Sequence, residues 1–264
     1  MDLNLKGKTV IVTGGGTGIG QAAALEFLRE GAAVAVFGRR EKPLQQTAIL
    51  AEQEGYSLYY ECCDVTDRKA VSSFTERVFQ KYGHIDIWVN NAGISIDKKY
   101  LDFTDEDWEK LEEIDLHAVF SCIQIAASYM KRQNGGVIIN ASSFAAIIPH
   151  ANGAIYAAMK SGVSSLTRST AAALAPFGIR VVGYIPGMIV TPISESMISK
   201  YKDDFTRNIA QARLGHPEDL AKPIVFLASD CASYITGTDI EISGGKFAAQ
   251  DCDMAWRLER GNSK

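Results

Sequence analysis

The sequence lacks the features that mark membrane-spanning, secreted and nucleic-acid-binding proteins. No run of about 18 apolar residues occurs, so no transmembrane helix is expected. Residues 1–6 lack the apolar stretch of a signal peptide. The five cysteines form no C-x-x-C pair and have no metal-site spacing with histidine, so we expect free thiols in a reducing cytoplasm and no bound metal. The formal net charge of -4 argues against nucleic acid or an anionic membrane as a partner.

What the sequence does contain is a glycine-rich segment between a β-branched run and a run of helix-forming residues. Glycine has no Cβ, so the backbone can approach a phosphate closely, and the following helix directs its free N–H groups to the same place. The spacing Gly14-x-x-x-Gly18-x-Gly20 differs from the common G-x-G-x-x-G fingerprint and from the P-loop. A glycine-rich surface turn is the alternative, but the strand before and the helix after favour a dinucleotide site. The predicted contact residues are Gly14, Thr17, Gly18, Ile19 and Gly20.

Strand and helix patterns alternate along the chain, and 47% of the residues are apolar, which is enough for a large core. The predicted strands are 9–12, 33–37, 56–61, 85–89, 136–141, 179–184 and 238–242. The predicted helices cover about 21–30, 41–54, 69–82, 105–132, 154–175 and 217–229. This order predicts an α/β fold, a single Rossmann-type doubly wound parallel sheet of about seven strands with helices on both faces. No linker or repeat interrupts it, so residues 1–264 are predicted to form a single dinucleotide-binding and catalytic domain.

Three residues have the chemistry of a proton-transfer site. Tyr156 and Lys160 lie one helical turn apart, and a nearby ammonium favours the phenolate of a tyrosine, whose usual pKa is about 10. Ser143 follows the fifth strand at the ligand-binding edge, where its hydroxyl can hold a carbonyl or alcohol oxygen. Ser142 is the rival serine, but it would point to the other side of an extended segment. Each residue alone is more often an ordinary surface group; together with the glycine turn they predict a catalytic set.

In these motifs the chain resembles the classical short-chain dehydrogenase/reductase family. The matching segments are Thr13–Gly20, Asp64-Val65, Asn90–Gly93, Ser143, Tyr156-x-x-x-Lys160 and Pro186-Gly187, over about residues 5–245. The resemblance implies that hydride moves between a nicotinamide and a substrate carbon while Tyr156 passes the proton. It also implies that Lys160 binds the nicotinamide ribose.

The choice of cofactor depends on the end of the second strand. An NAD site commonly has an acid there, whereas this chain has Arg39 and Arg40 and no acid. The resemblance makes Arg39 the ligand of a 2′-phosphate with Arg40 assisting, so NADP(H) is predicted. NAD(H) stays open, because two solvated arginines are the alternative. The resemblance also places Asp64 and Val65 beside the adenine, Asn91, Ala92 and Gly93 along the riboses, and Pro186, Gly187, Ile189 and Thr191 near the carboxamide.

One site residue departs from the family pattern. The family usually has an asparagine in the long helix before the tyrosine, and this chain has Asp115. In the family the main-chain carbonyl at this position holds a water that extends the proton path from the lysine. An aspartate keeps that carbonyl, so we predict an active enzyme with Asp115 in its catalytic set.

The resemblance also assigns a substrate lid to residues 188–213 and leaves 246–264 as a C-terminal tail. Apolar side chains on both sides of this region predict a bulky apolar ketone or secondary alcohol as substrate, hydroxysteroid- or bile acid-like or 3-oxoacyl-like. Family members pair helices 105–132 and 154–175 across a dimer axis, so a homotetramer or homodimer is expected. The lid side is predicted to contribute Met188, Ile189, Ile193, Met197 and Ile198, and the opposite wall Phe144, Ile147, Ile148 and Ile94, with His150 nearby.

Two other functions compete with an NADP(H)-dependent cytoplasmic oxidoreductase. A catalytically weak dinucleotide-binding sensor or scaffold is opposed by the intact Ser143, Tyr156 and Lys160, while Asp115 counts slightly in its favour. An epimerase or dehydratase of the extended family is opposed by the different glycine spacing and by the absence of a second substrate domain.

Overall fold

The computed structural model describes residues 2–259 and 261, and within them seven parallel strands form one sheet in the order β3-β2-β1-β4-β5-β6-β7. This confirms the predicted doubly wound fold. The strands are β1 (Thr9–Thr13), β2 (Ala33–Gly38), β3 (Leu58–Cys62), β4 (Ile87–Asn90), β5 (Gly136–Ala141), β6 (Ile179–Pro186) and β7 (Asp239–Ile242).

The helices cover both faces of this sheet. They are α1 (Gly18–Arg29), α2 (Glu41–Gln53), α3 (Arg68–Tyr82), α4 (Asp105–Glu112), α5 (Ala118–Met130), α6 (Ala154–Leu174), α7 (Glu195–Arg207), α8 (Pro217–Ala228) and α9 (Met254–Glu259). None of the helices in the described part of the chain combines the length and the apolar character needed to cross a membrane.

Alternation along the strands divides the core into two layers. On β1, Val10 and Val12 pack with residues of α1, α2 and α8, whereas Ile11 packs with residues of α3, α5 and α6. Both faces of this parallel sheet are covered, which explains why inner strands such as β2 are continuous apolar runs in the sequence. The strand order reverses next to β1, and in such sheets ligands bind at the carboxyl edge beside that reversal.

Loops at this edge are fixed by the end of β1. The Thr13 hydroxyl accepts hydrogen bonds from the backbone N–H groups of Asn91 (2.9 Å) and Ala92 (2.8 Å), which follow β4. The glycine turn and the Asn91 segment are therefore held against each other before any ligand binds.

The long helix predicted over about 105–132 is present, but it is not α-helical throughout. Residues Glu113–His117 form a π-helical turn between α4 and α5. The apolar residues keep nearly the same periodicity across this turn, so the sequence pattern does not reveal the added residue. The turn carries Asp115, whose side chain is completely buried. Single π-turns inside helices often occur at functional sites, and this one places an acid in the interior.

Candidate active site

The glycine turn has the backbone geometry of a phosphate-binding site. Gly14 has φ +68°, and a Cβ on it would lie 3.0 Å from the Cα of Ala92. Gly18 has φ +58°, and its Cβ would lie 3.1 Å from the side chain of Thr191. Thr17 precedes α1 and makes no side-chain cap, so the first N–H groups of the helix keep their capacity to bind an anion. These features fit the pyrophosphate of a dinucleotide.

A cleft of about 1680 Å³ runs from this turn across the carboxyl edge of the sheet. Gly20 does not line it; a Cβ there would collide with Asn91 and Gly14, so Gly20 serves the packing of the turn. The other predicted cofactor residues do line the cleft: Gly14, Thr17, Gly18, Ile19, Arg39, Arg40, Asp64, Val65, Asn91, Ala92, Gly93, Pro186, Gly187, Ile189 and Thr191, together with Tyr156 and Lys160.

Arg39 and Arg40 follow β2 at one end of the cleft, and both are exposed. Neither forms an ion pair with any residue in the described part of the chain. Two cations without a protein partner are free to bind an anionic group of a ligand here.

The cleft brings the three predicted catalytic side chains together. Ser143 is buried, and Lys160 Nζ lies 5.6 Å from the centre of the Tyr156 ring. The Ser142 hydroxyl is occupied elsewhere, at 2.7 Å from Ser164 Oγ and 3.3 Å from the Lys160 carbonyl oxygen. The Ser143 hydroxyl accepts from the backbone N–H of Ala145 at 3.1 Å and keeps its own proton for a partner in the cleft, and its effect is to lower the pKa of Tyr156.

The groups around Tyr156 shift its pKa in opposite directions. Burial raises the pKa of the Tyr156 phenol, whereas the Lys160 ammonium and the hydrogen bond from Ser143 lower it and the Asp115 carboxylate raises it again. Lys160 acts in the expected direction, but the net pKa of Tyr156 is raised in the protein without ligands. The Lys160 ammonium alone therefore does not bring the pKa of Tyr156 below its usual value, as the Tyr/Lys spacing had suggested.

The unexpected feature of the site is a buried ion pair. Asp115 Oδ1 lies 3.1 Å from Lys160 Nζ, with both side chains almost entirely removed from solvent. The backbone N–H of Ile94 donates to the same carboxylate at 3.2 Å, and Lys160 Nζ also donates to the Ala141 carbonyl at 3.3 Å. Burial disfavours the Lys160 ammonium, but Asp115 and Tyr156 together outweigh burial and raise the pKa of Lys160. Lys160 is therefore held as an ammonium at neutral pH.

Replacing Asp115 with asparagine should move the pH profile of alcohol oxidation toward lower pH. The Asp115 charge raises the pKa of Tyr156, so its removal lowers that pKa and the phenolate forms in more acidic solution. The measurement is kcat against pH at saturating cofactor for wild type and Asp115→Asn. Asp97→Asn is a matched control, because Asp97 is a weaker cause of the same shift and should move the profile less. Identical wild-type and Asp115→Asn profiles would contradict the assignment.

The other half of the cleft has apolar walls. Ile147, Ile148 and Ile193 are 52%, 58% and 58% exposed, which is unusual for isoleucine and leaves apolar surface open to a ligand. Ile198 does not line the cleft as predicted; it packs against a small cluster of Met188, Ile209 and Leu214. The other predicted wall residues do line the cleft: Met188, Ile189, Met197, Phe144 and Ile94, with His150 beside them.

Sequence reasoning named His150 but missed the other charged and polar groups of this half. The His150 ring forms a hydrogen bond with Asp97 at 3.1 Å. Residues after β7 also return to the cleft through two left-handed glycines, Gly244 (φ +66°) and Gly245 (φ +83°). A Gly-Gly pair directly after a strand is the one signal that could have indicated this turn. The residues it brings to the cleft are Lys246, Phe247, Ala249, Gln250 and Cys252.

The fold and this constellation define the class of protein. The chain belongs to the classical short-chain dehydrogenase/reductase family, whose members are oxidoreductases that bind a nicotinamide dinucleotide. A family model described as enoyl-(acyl carrier protein) reductase matches residues 14–246.

Individual relatives differ in what they act on. The chain is 38% identical to a 3-oxoacyl-[acyl-carrier-protein] reductase of Thermotoga maritima, over 92% of this chain and 99% of the relative. It is 37% identical to a 3α-hydroxysteroid dehydrogenase of Mediterraneibacter gnavus, over 92% and 98%. A short-chain dehydrogenase/reductase structure from Mycobacterium marinum superposes with a TM-score of 0.90 at 34% identity, over 94% and 98% of the two chains. A candidate NAD(P)-dependent gluconate 5-dehydrogenase of Beutenbergia cavernae, with NADP bound at low occupancy, gives 0.89 at 30% identity, over 94% and 100%.

Proposed function

We propose that this protein is an NADP(H)-dependent oxidoreductase that acts on a bulky apolar ketone or secondary alcohol. The observation that carries the proposal is the convergence of Ser143, Tyr156 and Lys160 in one cleft with the glycine turn and the exposed isoleucines. Relatives named as a 3-oxoacyl-[acyl-carrier-protein] reductase and as a 3α-hydroxysteroid dehydrogenase support this class of substrate.

The chain's own residues supply binding and proton transfer. A bound nicotinamide cofactor would provide or accept the hydride. The Ser143 hydroxyl holds the substrate oxygen, and the Tyr156 phenol gives that oxygen its proton in ketone reduction or takes it in alcohol oxidation. The Lys160 ammonium favours the phenolate of Tyr156 and would bind the ribose of the cofactor, while Asp115 holds the ammonium in place. The main-chain carbonyl of Asp115 continues the proton path.

The preference for NADP(H) rests on the two arginines without ion-pair partners. A guanidinium forms charge-assisted hydrogen bonds with phosphate oxygens, and neither of the two residues between β2 and α2 is an acid that could bind a free ribose. The relative that contains bound NADP supports this choice. NAD(H) is the alternative cofactor.

Replacing Arg39 with alanine should weaken NADPH binding roughly tenfold to a hundredfold and change NADH binding little. A charge-assisted contact to phosphate contributes about 1.5–3 kcal/mol, which gives that range. The measurement is the dissociation constant of each cofactor by nicotinamide fluorescence. Lys42→Ala is the matched control, since Lys42 is a nearby exposed cation outside the cleft. Equal weakening of both cofactors would rule out a 2′-phosphate contact.

The broader experiment is a screen of cofactor oxidation. Sterol ketones, 3-oxoacyl thioesters, sugar carbonyls and quinones are supplied with NADPH and then with NADH. We expect turnover of the bulky apolar carbonyls with NADPH at a higher kcat/KM than with NADH. Turnover restricted to small polar sugars would contradict the substrate class, and a preference for NADH would contradict the cofactor.

We further propose a cytoplasmic homotetramer or homodimer in which α5 and α6 form the contact. The outward side of α6 carries small exposed residues such as Ala158, Ser161 and Ser165, which permit close approach of a second helix. In the same proposal, the whole chain is one domain, residues 188–213 are the substrate lid and residues 246–264 are a C-terminal tail. Light scattering after size exclusion tests the assembly, and a monomeric mass would contradict it.

A further inference from the structure

Lys246 is a cation in the substrate half of the cleft. It follows the left-handed pair Gly244-Gly245, and its side chain lies over the Phe144 ring, with Nζ 5.0 Å from the ring centre. Phe144 directly follows Ser143, the serine assigned to the substrate oxygen. The ammonium therefore lies against one of the apolar side chains that line the same cleft as Ser143 and Tyr156.

No carboxylate in the described part of the chain neutralises this ammonium within 4.0 Å. Two carboxylates that also line the cleft are already paired, Asp97 with His150 at 3.1 Å and Asp115 with Lys160 at 3.1 Å. Lys246 is partly buried, and this burial lowers its pKa against a weaker opposing effect of the Cys252 thiol. A partly buried ammonium that lies on an aromatic ring without a counter-ion is stabilised most by a ligand with a negative charge.

The surroundings of Lys246 specify what such a ligand looks like. The neighbouring wall consists of Phe144 and the exposed isoleucines 147, 148 and 193, which favour an apolar body. One charged group at the end of an apolar body would reach the ammonium while the carbonyl lies at Ser143 and Tyr156.

We propose that Lys246 binds a carboxylate of the substrate, so that the enzyme prefers apolar oxo acids, or the corresponding hydroxy acids, over their uncharged esters. This inference rests on the proposed function, since it requires turnover of an apolar carbonyl. It assigns Lys246 as a specificity-determining residue that touches the substrate away from the reacting carbon.

The test compares charged and neutral forms of the same substrate. The probes are linear oxo-carboxylic acids of increasing length and a steroid keto acid, each beside its methyl ester, with kcat and KM measured for wild type, Lys246→Met and Lys246→Arg. We expect the wild type to favour the best acid over its ester, and Lys246→Met to raise the KM for that acid tenfold to a hundredfold with kcat changed little. The KM for the ester should stay the same, and Lys246→Arg should retain most of the preference.

Lys99→Met is the matched control, because Lys99 is an exposed lysine that also lines the cleft. It should leave the preference for the acid intact. Equal use of acid and ester by the wild type would overturn the inference while leaving the oxidoreductase proposal in place. A preference for the acid that persists in Lys246→Met would also overturn the inference. The same holds if Lys99→Met removes the preference to the same extent as Lys246→Met. Absence of turnover with every acid and every ester, with either cofactor, would instead overturn the proposed function.

Discussion

Tyr156→Phe should reduce kcat by roughly a hundredfold to ten-thousandfold, the usual contribution of general acid–base catalysis. The substitution keeps the ring, so its packing beside Lys160 should persist, and it removes only the hydroxyl that carries the proton. Steady-state turnover with NADPH and an apolar ketone gives kcat, and fluorescence titration should give a nearly unchanged dissociation constant for NADPH.

The matched control is Tyr184→Phe. Tyr184 lines the same cleft, and its hydroxyl donates to Asn91 Oδ1 at 3.1 Å, so this variant also loses a phenol group within the site. Because the Tyr184 hydroxyl serves the loop and not the substrate oxygen, its loss should lower kcat far less. Nearly normal turnover in Tyr156→Phe would exclude Tyr156 as the proton donor.

Asp115→Ala should lower the free energy of unfolding by about 3–5 kcal/mol, because it leaves the Lys160 ammonium buried without a counter-ion. For a chain of this size the loss corresponds to a fall in Tm of about 6–20 °C. Because Lys160 is almost completely buried, its ammonium cannot reach water without leaving its position in the cleft. Thermal unfolding followed by circular dichroism measures the change.

A double variant separates the charge effect from the cavity left by the shorter side chain. Asp115→Ala combined with Lys160→Met removes both charges, so it should regain much of the lost stability while remaining inactive. An Asp115→Ala protein with the wild-type Tm would show that Asp115 and Lys160 do not form the pair that holds the ammonium.

The sequence predicts the sheet and the helices around it because each depends on a local pattern. Apolar runs such as 136–141, followed by helical periodicity, identify βα units one at a time, and parallel pairing places their carboxyl ends together. The same logic predicts that Ser143 and Tyr156 lie at one edge. A local pattern does not define where pairing with a neighbouring strand stops, so predicted strand ends differ from the observed ends by a few residues. Strand β6, for example, continues to Pro186.

Contacts that depend on distant or irregular segments could not be predicted in this way. Asp115 pairs with Lys160 from within the π-turn at Glu113–His117, which leaves no distinct pattern in the sequence. The position of Lys246 depends on how the chain turns after β7, where no periodicity guides an assignment. The raised pKa of Tyr156 is a property of burial in the assembled cleft, so the Tyr/Lys spacing alone gives the wrong net direction.

The most direct test of the account follows the hydride itself. NADPH deuterated at the nicotinamide C4 is incubated with the protein and an apolar ketone, and the alcohol product is analysed by mass spectrometry. We predict deuterium on the carbinol carbon with wild type and almost none with Tyr156→Phe. Tight binding of NADPH by the wild type, with no deuterium in any product of a broad carbonyl panel, would contradict an oxidoreductase and indicate a dinucleotide-binding sensor.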